Sequence, residues 1–153
     1  MQTQFAFLSL LSTVFAAPQA VPASSSGPQG FDVINFKAQC YPRTTCEYEF
    51  DIFFNGSYVA YCSAIEQPYA VGDLPEVDQR ACDNNANWIW SVSLLPGGGI
   101  ALTIQDYFNS TTNLGNYQNI PADEFEIVPD GATEYQVYIG PANFTFPAVY
   151  SSA

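Results

Sequence analysis

The chain has 153 residues, enough for one domain, and carries a net charge of −12 with 15 acidic residues against three basic ones. A surface of this charge repels phosphate backbones and anionic lipid headgroups, so we expect no role in binding nucleic acids or membranes. The sequence also lacks histidine, which excludes Ser-His and Cys-His nucleophilic machinery. Paired carboxylates remain possible catalytic groups; we nevertheless predict no catalytic, cofactor-binding or metal-binding residues.

The first 30 residues predict a leader and a linker. Residues 5–16 form a short apolar run that ends in Val14-x-Ala16, which is typical of a secretory signal peptide spanning residues 1–16. No other stretch approaches the roughly 20 apolar residues that a membrane-spanning helix needs. Residues 17–30 are rich in proline, serine and glycine, so we expect a disordered linker there. The folded domain is therefore predicted at residues 31–150.

Two further features indicate an extracellular protein. The chain has four cysteines, an even number as expected for disulfide bonds. Three Asn-x-Ser/Thr sequons, none with proline in the middle, begin at Asn55, Asn109 and Asn143. We therefore predict a secreted, extracellular glycoprotein.

The first strand is predicted at residues 31–38, and the clearest strand is at residues 47–54, in which acidic and apolar residues alternate with period two. Asn55-Gly56 follows, a dipeptide that accepts positive φ at both central positions of a tight hairpin turn. Residues 58–62 are predicted to return as the partner strand. The remaining predicted strands are 87–95, 100–108, 125–128, 133–139 and 144–146.

Residues 66–87 and 109–121 are predicted to be loops, because proline, glycine, asparagine and acidic residues interrupt any alternation there. No stretch of ten residues shows the 3.6-residue periodicity of an amphipathic helix. The predicted fold class is therefore all-β: a single antiparallel β-barrel or sandwich of about seven to nine strands, stapled by disulfides.

The four cysteines allow three pairings. We favour Cys62–Cys82, which would anchor the loop at 66–87 to the central hairpin, and this leaves Cys40–Cys46. In a chain-entropy model the two bridges contribute about 3.3 and about 2.4 kcal/mol. A zinc site is disfavoured, because the chain has no histidine and no Cys-x-x-Cys motif.

Neighbouring carboxylates are the only candidates for chemistry. Glu47, Glu49 and Asp51 share one strand face, and glycosidases need only two carboxyl groups at a suitable separation. On an exposed face such groups more often serve to hydrate the surface. We see nothing around them in the sequence that would desolvate one and raise its pKa.

A second acidic segment resembles the beginning of a calcium loop. Asp83, Asn85 and Asn87 place oxygen-bearing side chains at alternate positions. The match then fails, because Trp88 stands where the loop needs glycine and Leu94 where it needs a bidentate glutamate. An Asx-rich turn is the favoured interpretation.

Trp88 and Trp90 share one strand face, and two interpretations remain open. The alternation favours packing in the core. If the face were exposed instead, the two indoles would form a ligand face for a carbohydrate or another flat ligand.

Several short stretches resemble a known family. They are 31–38 (Phe-Asp-Val-Ile-Asn-Phe-Lys-Ala), Phe50-Asp-Ile, Tyr61-Cys-Ser-Ala, Cys82-Asp-Asn, Trp88-Ile-Trp and 101–106 (Ala-Leu-Thr-Ile-Gln-Asp). Together they resemble the small secreted fungal proteins typified by the major allergen of the mould Alternaria.

The resemblance implies a secreted β-barrel without established catalytic residues, associated with allergenicity and with eliciting or suppressing plant defence. It also implies that Cys62–Cys82 is a shared bridge. This chain departs from the type member in having its other cysteines at positions 40 and 46 and none after Cys82, so no family dimer geometry is carried over.

We therefore expect a non-enzymatic fungal effector or elicitor that binds a host extracellular protein or a small apolar ligand, as a monomer or a homodimer. One alternative is an extracellular carbohydrate-binding module that uses Trp88 and Trp90. Another is a small acid glycosidase that uses Glu49.

Overall fold

The computed structural model describes residues 30–42, 44–68, 72–109, 112–147 and 149–152. The predicted signal peptide and, except for Gly30, the predicted linker lie outside these residues. Within the described ranges the chain forms eleven strands and a short 3-10 turn at Ala122–Glu124. The strands are β1 Phe31–Cys40, β2 Cys46–Phe54, β3 Ser57–Glu66, β4 Val77–Cys82, β5 Asn85–Leu94, β6 Ile100–Asn109, β7 Thr112–Ile120, β8 Phe125–Asp130, β9 Thr133–Tyr138, β10 Phe144–Phe146 and β11 Val149–Ser152.

The strands form two antiparallel sheets. A six-stranded sheet has the order β3-β2-β1-β9-β8, with β10 also paired to β1, and a five-stranded sheet has the order β11-β7-β6-β5-β4. The all-β class is thereby confirmed, with more strands than the seven to nine expected. The sheets are not closed into a barrel, and their apolar faces contribute to one core, an arrangement that favours the sandwich.

Aromatic rings fill the space between the sheets. Inward-facing rows come from alternate positions of each strand, such as Tyr48 and Phe50 in β2 and Trp88 and Trp90 in β5. The Trp90 ring lies 5.1 Å from the Phe50 ring and 6.3 Å from the Tyr48 ring, centroid to centroid, in edge-to-face geometry. Such contacts between large rings add to the stability that burial of their area provides.

The predicted hairpin is present. Asn55 has φ 51° and Gly56 has φ 73°, so both central residues of the turn occupy the left-handed region that the dipeptide favours. The return strand β3 is longer than predicted and pairs with β2 along its whole length, up to Glu66 opposite Cys46.

Two predicted loops contain strands. Val77–Cys82 within the predicted 66–87 loop is β4, and Thr112–Ile120 within the predicted 109–121 loop is β7. β7 is mostly polar but pairs with β6 from Ile120 opposite Ile100 onward. The backbone ladder and the burial of Leu114 and Ile120 stabilise this strand despite its loop-like composition.

Both expected disulfides are present. Cys40–Cys46 joins two residues that lie directly opposite each other in β1 and β2. Cys62–Cys82 connects β3 with β4 and therefore links one edge of the six-stranded sheet to one edge of the five-stranded sheet. Two disulfides are typical of an extracellular protein. None of the described residues belongs to a helix long and apolar enough to cross a membrane.

Candidate functional site

The three acidic side chains of β2 lie on the outer face of the six-stranded sheet, as predicted, and each has a partner. Glu49 forms an ion pair with Lys37 and accepts a hydrogen bond of 3.2 Å from the Tyr61 hydroxyl. The hydroxyl of Tyr41 donates to Glu47 at 2.8 Å. Asp51 accepts a 3.0 Å hydrogen bond from the side-chain amide of Asn35.

These contacts determine how Glu49 titrates. The hydrogen bond and charge of Lys37, with a further hydrogen bond from Tyr61, lower the pKa of the Glu49 carboxyl. Its carboxylate is therefore stabilised in the ionised form. A general acid of a glycosidase needs the opposite, a pKa raised toward the working pH.

Trp88 and Trp90 belong to the core. Their exposed fractions are 3% and 1%, so they do not form an exposed ligand face, and the core-packing interpretation is the correct one. The indole N–H of Trp90 has no hydrogen-bond partner among the described residues. The two indoles face inward because β5 packs this row against the six-stranded sheet.

The turn at residues 83–84 and the first residue of β5, Asn85, cover the edge of β3. The backbone N–H of Asp83 donates to the Tyr61 carbonyl at 2.8 Å, and the Tyr61 N–H donates to the side-chain oxygen of Asn84 at 2.7 Å. The amide of Asn85 donates to the Val59 carbonyl at 3.0 Å. These hydrogen bonds satisfy backbone N–H and C=O groups on the open edge of β3. This structural role agrees with the Asx-rich turn. Across the described residues, no three Asp, Glu or Cys side chains are grouped as metal ligands would be.

The sequons lie at different places in the fold. Asn55 is exposed at the tip of the β2–β3 hairpin. Asn143 is exposed before β10, and its side-chain oxygen accepts a 3.0 Å hydrogen bond from the Asn35 N–H. Asn109 is the last residue of β6. Their glycosylation stays a prediction.

One buried acidic residue was not singled out by the sequence analysis. The inward row of β6 consists of Ile100, Leu102 and Ile104, and the next position in that row is Asp106, which is only 6% exposed. Asp106 lies opposite Trp88 in β5 and opposite Leu114 in β7. Desolvation raises the pKa of its carboxyl. The sequence does carry a signal for this burial: Asp106 occupies the next alternate position after the apolar residues Ile100, Leu102 and Ile104.

Asp106 lines a hollow at one end of the sandwich, with a volume of about 490 Å³. We call it the Asp106 hollow. The hairpin β2–β3 and the ends of β5 and β6 contribute its walls. The side chains that line it with Asp106 are Phe54, Tyr58, Val59, Asn85, Asn87 and Trp88. A volume of this order lies within the roughly 300–1,000 Å³ of small-molecule sites.

The outer face of the five-stranded sheet forms a second distinctive surface, which we call the neutral face. Three rows of outward positions cross β5, β6 and β7 in register. They are Ile89-Gln105-Gly115, Ser91-Thr103-Tyr117 and Ser93-Ala101-Asn119. None of the nine residues is charged, and Tyr117 is 62% exposed at one side.

Comparison with known protein families, with curated proteins and with solved structures finds no match to this chain. The resemblance to the Alternaria allergen family stays a prediction.

Proposed function

We propose that this protein is a secreted, non-enzymatic protein of the allergen or elicitor type, which binds an extracellular protein of a host through its neutral face. The biological setting of the proposal comes from the sequence resemblance described above. The contact surface comes from the distribution of charge over the two sheets.

The neutral face is the observation that carries the proposal. The chain has 15 acidic and three basic residues, yet nine adjacent outward positions carry no charge. The outer face of the other sheet carries the Lys37–Glu49 ion pair and further carboxylates. Protein interfaces are depleted of charge at their centre and enriched in tyrosine, so the neutral face has the composition of a contact surface.

The alternative functions have less support. Glu49 has a lowered pKa, which suits a surface ion pair better than acid catalysis. Trp88 and Trp90 present no shared exposed face on which a glycan could stack. Rings of Trp90, Phe50 and Tyr48 pack against one another between the sheets, so the centre of the sandwich is filled by side chains.

The proposal is tested by placing one negative charge on each sheet. Tyr117→Glu changes the neutral face, and Ile127→Glu changes an exposed residue of β8 in the other sheet, where the side chain is 50% exposed. Purified wild type and both variants are immobilised and exposed to host apoplastic fluid. The captured protein is identified and purified, and its affinity for wild type and for each variant is then measured.

We expect wild type and Ile127→Glu to capture the same protein, and Tyr117→Glu to bind it at least about ten-fold more weakly, because a charge is buried unpaired in the interface. Equal capture by both variants, or capture of a polysaccharide alone, would contradict the proposal. Size-exclusion chromatography tests whether a second copy of the chain covers the neutral face instead. Dimerisation that Tyr117→Glu abolishes would also contradict the proposal.

A further inference from the structure

The Asp106 hollow combines one desolvated carboxylate with three aromatic side chains. Asp106 continues an apolar inward row, and the residue is only 6% exposed. Phe54 and Tyr58 approach from the hairpin, and Trp88 approaches from the neighbouring strand β5. Neither ion pair among the described residues involves Asp106. A buried carboxylate without a counter-ion is costly, so such a residue is a candidate for binding a ligand of opposite charge.

The walls of the hollow are held in place by contacts within the protein. The side-chain amide of Asn85 donates to the Val59 carbonyl at 3.0 Å, and its oxygen accepts from the Asn87 N–H at 3.2 Å. The Tyr58 hydroxyl accepts a 2.7 Å hydrogen bond from the Asn84 amide. The rings of Phe54 and Trp88 lie 6.5 Å apart, centroid to centroid. The aromatic groups are therefore positioned before any ligand binds.

The chemistry of these groups selects a class of ligand. A net charge of −12 and a buried carboxylate disfavour an anion. A calcium ion needs about six to eight oxygen ligands, whereas one carboxylate and two asparagine side chains line the hollow. Aromatic ring faces attract cations, most effectively when these are weakly hydrated, as an alkylated ammonium group is.

We propose that the Asp106 hollow binds an organic ammonium group, with Asp106 as its counter-ion and with Phe54, Tyr58 and Trp88 as its aromatic wall. This site is independent of the neutral face, because Asp106 belongs to the inward row of β6 and Tyr117 to the outward row of β7.

The test is a calorimetric titration of the purified, disulfide-bonded protein with choline chloride. The matched ligand is 3,3-dimethyl-1-butanol, in which a carbon atom replaces the charged nitrogen and the shape is kept. We expect saturable binding of choline and at least about ten-fold weaker binding of the neutral isostere, because only choline compensates the carboxylate. Equal binding of the two ligands, or no choline binding at millimolar concentrations, overturns the proposal.

Two variants locate the site. Asp106→Asn removes the charge with little change in shape, and we expect it to bind choline at least about ten-fold more weakly. Asp130→Asn makes the same chemical change at an exposed residue of β8, and we expect it to bind like wild type. Equal binding by Asp106→Asn and wild type overturns the proposal.

A third variant guards against a folding defect in Asp106→Asn. Tyr58 is 48% exposed, so Tyr58→Ser removes one ring of the wall without opening the core. We expect about three-fold to five-fold weaker choline binding, the size of one cation–π contact at a partly exposed site. Unchanged affinity in Tyr58→Ser overturns the assigned aromatic wall.

Discussion

At the scale of single residues, Glu49 and Asp106 show how the fold shifts the pKa of a carboxyl group in opposite directions at two positions. Glu49 lies beside Lys37 and Tyr61, and these neighbours lower the pKa of its carboxyl. Asp106 lies between Trp88 and Leu114, and burial raises the pKa of its carboxyl. Both residues stand in alternating strands, so the difference arises from the face on which each side chain lies.

Asp106→Asn is expected to stabilise the protein at neutral pH. A raised folded-state pKa means that stability is fully present below the ordinary value of 3.8 and is lost as the pH rises through the folded-state pKa. Removing the charge should therefore raise the free energy of unfolding at pH 7 by on the order of 1 kcal/mol. The gain should disappear near pH 3, where the carboxyl is protonated in both states.

Denaturant unfolding of both proteins at the two pH values measures this difference. The other titratable side chain that lines the hollow is Tyr58, so no second carboxyl contributes from these walls. A variant that is less stable than wild type at pH 7 would contradict the assignment of a desolvated charge.

At the scale of secondary-structure elements, the segment 72–76 is attached to the fold by close backbone approach. The Gln136 N–H donates to the Gly72 carbonyl at 2.8 Å, and the Leu74 N–H donates to the side-chain oxygen of Gln136 at 3.1 Å. The Tyr48 hydroxyl donates to the Pro75 carbonyl at 2.7 Å. This segment lies in the predicted 66–87 loop, and its order comes from contacts with β9 and β2.

Gly72→Ala is expected to destabilise the protein more than Gly97→Ala. Both glycines have φ 93°, so both variants incur the same left-handed backbone cost, about 1–2 kcal/mol. A Cβ atom on Gly72 would lie 1.8 Å from the Glu134 carbonyl oxygen, whereas one on Gly97 meets nothing within 4 Å. In Gly72→Ala this clash should add roughly 1–3 kcal/mol or more to the loss of unfolding free energy.

Thermal and denaturant unfolding of the two glycine variants give the comparison. Because both variants incur the same cost of positive φ, the difference between their losses of unfolding free energy measures how closely Gly72 approaches β9. Equal losses of stability would show that this approach is not tight.

The two disulfides are expected to contribute unequally to the free energy of unfolding. Replacing Cys62 and Cys82 together by alanine should cost about 3.3 kcal/mol, since this bridge closes the longer loop and ties the two sheets together. The matched double variant at Cys40 and Cys46 should cost about 2.4 kcal/mol, because its loop is short and its strands are already paired. A larger loss at Cys40 and Cys46, measured by denaturant unfolding, would contradict this ranking.

At the scale of the whole molecule, charge is distributed unequally over the two sheets. The six-stranded sheet carries a hydrogen-bonded array of carboxylates on its outer face, and the five-stranded sheet carries the neutral face. With a net charge of −12, repulsion among the acidic side chains opposes the compact state.

Salt is therefore expected to stabilise the protein at neutral pH. Raising the NaCl concentration from about 10 mM to about 300 mM shortens the Debye length from roughly 30 Å to below 10 Å and screens this repulsion. The described ion pairs, Lys37–Glu49 and Arg80–Glu66, weaken too, but they are few beside the excess of acidic groups. Calorimetry should show a Tm that rises by a few degrees, and a falling Tm would contradict the dominance of repulsion.

The sequence alone determined the features that depend on local preferences. The alternation in β2, the Asn55-Gly56 turn and the absence of helical periodicity are properties of neighbouring residues, so they predict the all-β class and the central hairpin. The favoured disulfide pairing rested on the loop that Cys62–Cys82 would anchor and on the family resemblance, and both bridges are present in the structure.

Only the tertiary structure decided what depends on pairing and packing between strands. β4 and β7 are strands because β5 and β6 offer them backbone partners, which no local composition reveals. The hollow around Asp106 forms only when the distant β2–β3 hairpin lies beside β5 and β6, and the neutral face forms only when β5, β6 and β7 pair in register. A carboxylate in an alternating strand faces water or the core according to the sheet that packs against it.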